Sequence, residues 1–318
     1  MIETFLASLS PMLILFICVL VGYILRKTSV VPPNTDTVIS RLETFAIVPA
    51  LSFSSFSTYC TVDSLRENWS LFLYGGVAIG FSVALAYLLV RFFPITNDYT
   101  KNCYKYALTF SNFGYIGNAI VPMLLGDDKH LYLYLLFTIC PSFVVYLWGF
   151  PILTPKESRP KNPIMQLFTV PMIAIFVGIF FGLTGLGHKL PGFLVSAMDS
   201  LKVCMGPLAM VLTGVVIGGY QFKKLLTDPK VYVVSLLRLT LLPALVVAFL
   251  YLCGASTYVM TLAFFAFGTP LGLNTVVFPA AFGGETKTGA SMAMISMVLG
   301  VFTLPVMFAL LQAVLSIL

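Results

Sequence analysis

Gly268-Thr269-Pro270-Leu271-Gly272-Leu273-Asn274-Thr275-Val276-Val277-Phe278-Pro279 lies inside a run of membrane-spanning length, yet glycine, proline and asparagine recur where an ordinary membrane helix continues unbroken. Lipid offers no hydrogen bond to a freed amide or carbonyl, so irregular backbone persists at that depth only when buried in protein or lining a cavity. The stretch therefore reads as an interrupted helix beside a site. The same punctuation recurs in Ser111-Asn112-Phe113-Gly114-Tyr115-Ile116-Gly117-Asn118-Ala119-Ile120-Val121-Pro122. The competing reading, in which proline and glycine only kink helices for packing, fits one such segment better than a matched pair.

The surrounding composition sets the solvent. Of 318 residues, 59% are hydrophobic and 9% charged, and mean hydropathy is +0.98, whereas soluble domains carry about 25% charged residues. The chain is expected to be an all-α polytopic membrane protein, since its long continuous apolar runs lack the alternation of a β-barrel. Apolar runs predict ten spans, at 9–25, 38–58, 69–92, 104–125, 131–152, 164–186, 192–219, 231–252, 256–283 and 288–316. Leu9–Leu25 is read as a retained first span: Glu3 precedes it and Arg26-Lys27 follow it. The polar stretch Asp36–Glu43 and the charged stretch Pro191–Cys204 each read as a span entered late or an amphipathic lead-in.

Six single cysteines without C-x-x-C spacing are read as packing residues. His130 and His188 are read as loop residues without partners. With no nucleophile elbow, phosphate-binding loop or metal-ligand spacing, the chain is expected to have no catalytic residues, metal or other cofactor, and no bound ATP driving it. The formal charge of +6 reads as a topology signal and not as a nucleic-acid surface.

Thirteen of the basic residues fall in gaps after odd-numbered spans: Arg26, Lys27, Arg41, Arg91, Lys101, Lys105, Lys156, Arg159, Lys161, Lys223, Lys224, Lys230 and Lys287. Four, Arg66, Lys129, Lys189 and Lys202, fall on the other side. Cationic loops stay cytoplasmic, which predicts both termini outside the cytoplasm. The halves also match in spacing. Gly22, Pro32 and Pro49 stand 10 and 17 residues apart, and Gly182, Pro191 and Pro207 stand 9 and 16 apart. Gly22 to Pro122 is 100 residues and Gly182 to Pro279 is 97, and Gly126 and Gly283 follow the two prolines at the same interval. The sequence reads as a duplication, residues 1–155 and 160–318, joined by the loop Pro155–Lys161. Five spans per half is an odd number, so the second repeat enters the membrane inverted. Paired interrupted helices in inverted repeats are the sequence signature of secondary transporters.

An interruption leaves one half-helix ending in free carbonyls and the next beginning with free amides. The carbonyl end favours a cation and the amide end an anion. Asn112, Asn118 and Asn274 can add donors and acceptors there, and converging amide ends would suit a carboxylate. Arg238, inside span 8, reads either as a substrate counter-ion or as a side chain snorkelling to the surface. Arg41 with Glu43, and Asp199 with Lys202, occupy equivalent elements at opposite faces and read as gate pairs or as interfacial charges. Glu43 and Asp199 are the carboxylates placed to carry protons. Ser291, Ser296 and Thr303 are read as hydroxyls bonded to helix carbonyls.

Asn112-Phe113-Gly114-Tyr115-Ile116-Gly117 with Pro122, Gly268-Thr269-Pro270 through Asn274, Ala290-Ser291, and Thr303-Leu304-Pro305 together resemble the auxin efflux carrier family in its compact microbial form. The resemblance runs over the whole chain. It implies ten helices in two inverted five-helix repeats, with broken helices 4 and 9 crossing at their prolines. It also implies a scaffold of helices 1, 2, 6 and 7, a transport unit of helices 3–5 and 8–10, and elevator-type movement. Substrates would be small organic anions such as malate, malonate or auxin-like acids, and a homodimer is a family expectation. By motif position, Asn112, Gly117, Asn118, Pro122, Gly268, Asn274 and Pro279 would border the site. The long cytoplasmic loop of plant exporters is absent. The related bile acid:sodium symporters carry a carboxylate near the ninth-span crossing, whereas Gly268–Phe282 holds none. Proton coupling or facilitated diffusion is therefore favoured over sodium coupling. A membrane receptor or scaffold on a transporter fold, and a channel, remain as alternatives.

Overall fold

Helix caps and helix breakers set the element boundaries. The computed structural model describes residues 2–155, 165, 167–221, 227–280 and 284–317. Gly283, Lys156, Arg159, Lys161, Lys223, Lys224 and most of the joining loop lie outside the described residues. Among the described residues all regular structure is helical. In chain order the helices are α1 (Ile2–Lys27), α2 (Thr35–Leu42), α3 (Val48–Tyr59), α4 (Val62–Leu89), α5 (Asp98–Thr109), α6 (Asn118–Leu125), α7 (Asp128–Val144) and α8 (Phe150–Leu153). After the joining loop come α9 (Val170–Leu183), α10 (Gly192–Gly218), α11 (Pro229–Leu239), α12 (Leu241–Leu252), α13 (Thr257–Gly268), α14 (Asn274–Ala280) and α15 (Lys287–Leu315). Side-chain oxygens of Thr61, Asn97, Asp127, Asp228 and Ser256 accept amide hydrogen bonds at the starts of α4, α5, α7, α11 and α13. Each cap satisfies a donor that the first helical turn leaves free.

Seven helical stretches among the described residues are long and apolar enough to cross a membrane: Thr4–Lys27, Val62–Phe92, Asp98–Leu125, Asp128–Leu153, Gly192–Gly218, Pro229–Leu252 and Lys287–Leu315. Helices α9 and α13 are apolar but shorter, at 14 and 12 residues. Of the two ambiguous stretches, α2 has no buried residue and enters α3 through a π-turn at Glu43–Ile47, whereas Pro191–Cys204 leads straight into the continuous α10. The chain is a multi-pass membrane protein.

Two helix pairs pack most extensively, α1 with α10 and α3 with α9. Small residues make both possible, as they commonly do where membrane helices approach backbone to backbone. A Cβ on Gly22 would lie 2.1 Å from the Val211 carbonyl oxygen, and one on Gly214 would lie 2.0 Å from that of Val19. A Cβ on Gly182 would lie 2.5 Å from the Phe56 oxygen and 2.6 Å from that of Cys60. The two glycines that the spacing singles out thus serve the two principal pairings. Around these pairs, α4 packs on α5 and α7, α11 on α15, and α12 on α13. Cys60 and Cys103 are buried, but Cys204 and Cys253 are exposed, so the packing role expected of all six cysteines does not extend to those two. His130 also departs from expectation: it lies in the first turn of α7, with Nδ1 2.7 Å from the Tyr258 hydroxyl.

Gly22→Leu and Gly182→Val should each destabilise the protein by about 2 kcal/mol or more, because backbone, not a flexible side chain, occupies the space. Gly80→Ala meets nothing within 4 Å and should be neutral or raise stability by up to about 1 kcal/mol. Thermal unfolding of the purified variants in detergent measures both.

Candidate functional site

The two interruptions meet. Between α5 and the following π-turn the chain opens at Phe110–Asn112, and between α13 and α14 it opens at Thr269–Leu273. The Asn112 amide donates to the Pro270 carbonyl at 2.7 Å, joining one break to the other. The Ser111 hydroxyl donates to the Ala266 carbonyl at 2.6 Å. Both bonds meet the demand that broken backbone at this depth find partners within the protein.

Neighbouring helices supply the rest. The Tyr134 hydroxyl on α7 donates to the Phe113 carbonyl at 3.0 Å. A Cβ on Gly117 would lie 2.0 Å from that hydroxyl, so glycine is what admits it. On α15, Ser296 accepts from the Leu271 amide at 3.0 Å and itself donates to the Ala293 carbonyl at 3.1 Å. The expected bond to a helix carbonyl is one half of its role; the other half holds the second interruption. Gly300, on the same helix, lets Pro270 approach: a Cβ there would fall 2.4 Å from the proline ring.

The interruptions lie upstream of both family-motif prolines. Pro122 is inside α6 and Pro279 inside α14, and Pro270 is the proline at a break. The first amide end also begins earlier than Asn118, because the π-turn Phe113–Gly117 runs continuously into α6.

A cavity of about 540 Å³ opens beside the meeting point. Asn112, Asn118 and Asn274 line it, whereas Gly117, Pro122, Gly268 and Pro279 do not. Asn118 donates to the Gly114 carbonyl at 2.7 Å, and its Oδ1 is buried without a partner. Asn274 donates to the Tyr106 hydroxyl at 2.9 Å. The remaining wall is mainly apolar and includes Phe45, Val48, Met172, Val277 and Phe278, with Thr44, Tyr115 and Tyr146 adding hydroxyls.

The charged candidates separate into three places. Arg238 is 1% exposed. Its Nη1 donates to the Leu108 and Thr109 carbonyls, both at 3.3 Å, and its Nη2 to the Phe267 carbonyl. It neither lines the cavity nor reaches the surface, so it matches neither of its two expected roles. Glu43 is buried in the π-turn with neither carboxylate oxygen hydrogen-bonded, while Arg41 is exposed; the two do not pair. Lys202 does pair, with Asp128 Oδ2 at 2.7 Å and Asp199 Oδ1 at 3.3 Å. Ser54 donates to Asp199 at 3.1 Å. This cluster sits at the start of α7, and the cavity lies further along the same helix, lined by Leu135, Thr138 and Ser142 and then by Val145 and Tyr146. From Asp128 to Leu135, the first cavity-lining residue of α7, is about 10 Å along the helix.

A family model described as "Membrane transport protein", that of the auxin efflux carriers, matches residues 7–164. This chain belongs to the auxin efflux carrier family. The matched stretch contains the first interruption with Asn112 and Asn118, and the second interruption, with Asn274, lies beyond it. No curated protein matches the sequence. Family membership carries the general reading of a membrane transport protein. It does not bear on Arg238, Tyr134 or Ser296, whose partners become visible only in the fold.

Tyr134→Phe removes the side-chain donor to the Phe113 carbonyl, which keeps the Asn118 backbone amide, and should cost about 0.5–1.5 kcal/mol. Gly117→Ala displaces the same hydroxyl, so the double variant should lose clearly less than the two single losses together. Additive losses in a thermal-unfolding cycle would show that the two residues act separately.

Proposed function

We propose that this chain is a secondary active or facilitative carrier of a small organic anion, a carboxylate or dicarboxylate, working by alternating access about the cavity at the joined interruptions. The observation that carries the reading is the convergence of Asn112, Asn118 and Asn274, drawn from both interruptions, on one cavity. Family membership supports the transporter class. The mainly apolar wall suits the body of an organic acid, and the amides suit its head group.

In this reading the ten helical units form two inverted five-helix repeats, and the interrupted helices cross where Asn112 bonds Pro270. The reciprocal use of Gly22 and Gly182, each packing its helix on one from the other half, supports that symmetry. Helices α1, α2–α3, α9 and α10 act as the scaffold, and the units containing α4–α8 and α11–α15 move against it in an elevator-type step. The carrier resides in the plasma membrane with both termini on the non-cytoplasmic side, and association as a homodimer follows the family expectation. Asn118→Ala or Asn274→Ala should abolish flux in proteoliposomes with expression intact. Full transport by both variants would overturn the site; ligand binding without flux in the unaltered protein would favour a receptor on this fold. Failure of counterflow exchange would favour a channel.

The Lys202 cluster, at the start of α7, acts as a gate. Movement of α7 past α10 separates Asp128 from Lys202, while Asp199, on the same helix as Lys202, stays with it. Lys202→Met should speed reaction of a cysteine placed at Ser54 with a membrane-impermeant thiol reagent by about fivefold, corresponding to about 1 kcal/mol for a partly exposed pair. An unchanged labelling rate would exclude the gate.

A further inference from the structure

Arg238 is a buried cation whose partners are all main-chain carbonyls. Nη1 bridges Leu108 and Thr109 at the C-terminal end of α5, and Nη2 reaches Phe267 at the C-terminal end of α13. One planar guanidinium therefore ties together the carbonyl ends of both helices that precede the interruptions. Among the described residues no carboxylate pairs with it. The Thr109 carbonyl has a second donor in Ser82 at 3.0 Å, and the neighbouring Ala266 carbonyl accepts from Ser111 at 2.6 Å.

Such ends carry partial negative charge, and in carriers built on interrupted helices they are where a coupling Na⁺ is coordinated. Here the oxygens are already bonded to a cation that belongs to the chain. A guanidinium presents donors in a rigid fork able to span two helices, which a lysine ammonium on one flexible stem does not reproduce.

We propose that Arg238 is the carrier's resident cation: a positioning residue that holds the two carbonyl ends together in the place a coupling Na⁺ would fill, so that anion transport needs no added cation. The transport clause rests on the carrier reading above, and the positioning clause rests on the hydrogen bonds alone.

The test has two arms. In the first, purified Arg238→Ala, Arg238→Met and Arg238→Lys are melted in detergent. The Ala variant should lose about 5 °C or more in Tm, because a buried partner is removed from three carbonyls. Guanidinium chloride at about 10 mM should restore much of that loss by binding the emptied place. Equal concentrations of urea or choline chloride should not, and the Lys variant should melt above the Met variant. An unchanged Tm for Ala, or restoration by urea as well as by guanidinium, would overturn the positioning clause. If the Ala variant does not fold, equal melting of Lys and Met would overturn it. In the second arm, flux of radiolabelled malonate, malate and indole-3-acetate is measured in proteoliposomes of the unaltered protein in NaCl and in choline chloride. Equal flux supports the proposal, and a severalfold stimulation by Na⁺ overturns the transport clause. Absence of flux for every probe removes the carrier reading and the transport clause with it, while the melting series still decides the positioning clause.

Discussion

A polypeptide that leaves its helix inside a membrane must find a partner for each main-chain group it frees, since the hydrocarbon supplies none. In this protein the two departures partly solve the problem for each other: Asn112 donates to Pro270 across the gap. Everything else near the centre completes the same accounting. Helix α7 brings Tyr134 to Phe113, α15 brings Ser296 to Leu271, and α11 brings Arg238 to three carbonyls at once. The helices that flank the interruptions are thus committed to them by hydrogen bonds as well as by packing.

The α1–α10 and α3–α9 pairs obey a different constraint. Their contacts are backbone against backbone through Gly22, Gly214 and Gly182, without side-chain hydrogen bonds to the interruptions. The cavity lies between the two kinds of structure, with Val48 and Met172 on one wall and Asn112 and Asn274 on the other. In the proposed carrier these two walls would move relative to one another, and the bonds that join them would have to break. At the start of α7 the Asp128–Lys202 pair is one such bond.

How much of this could be read from the chain depends on where the signal lies. Glycine, proline and asparagine mark both interruptions because they are costly in an ordinary helix, and Gly22 and Gly182 mark two positions where close packing admits nothing larger. The three asparagines on the cavity were accessible by the same reasoning. Pro122 and Pro279 misdirected it: a proline removes one amide hydrogen bond yet can remain within a helix, and here the openings fall earlier. Arg238 could be recognised as unusual but not understood, because its partners are main-chain carbonyls of residues about 130 and 29 positions away, and carbonyls leave no trace in residue identity. The Tyr134 contact was hidden for the same reason, and so was the Ser296 contact to the Leu271 amide, since that too is a main-chain group. Glu43 was visible as an acidic residue in an apolar setting, but its lack of any partner belongs to the fold alone.

The placement of charge bears on how the proposed carrier would bind an anion and still release it. No charged side chain lines the cavity; its polar groups are amides and hydroxyls. The fixed positive charge of Arg238 stands behind the backbone of the interruptions. A guanidinium in direct bidentate contact with a carboxylate forms one of the stronger polar pairs in proteins, and such a pair buried in the cavity would slow release on each cycle. A unit charge about 10 Å away at an effective dielectric of about 20 still contributes about 1.7 kcal/mol, roughly an order of magnitude in affinity. Set one layer back, the cation would favour an anion over a neutral analogue while leaving the contacts that must break to neutral amides. That arrangement also frees the guanidinium for the carbonyls, which need it whether or not the cavity is filled.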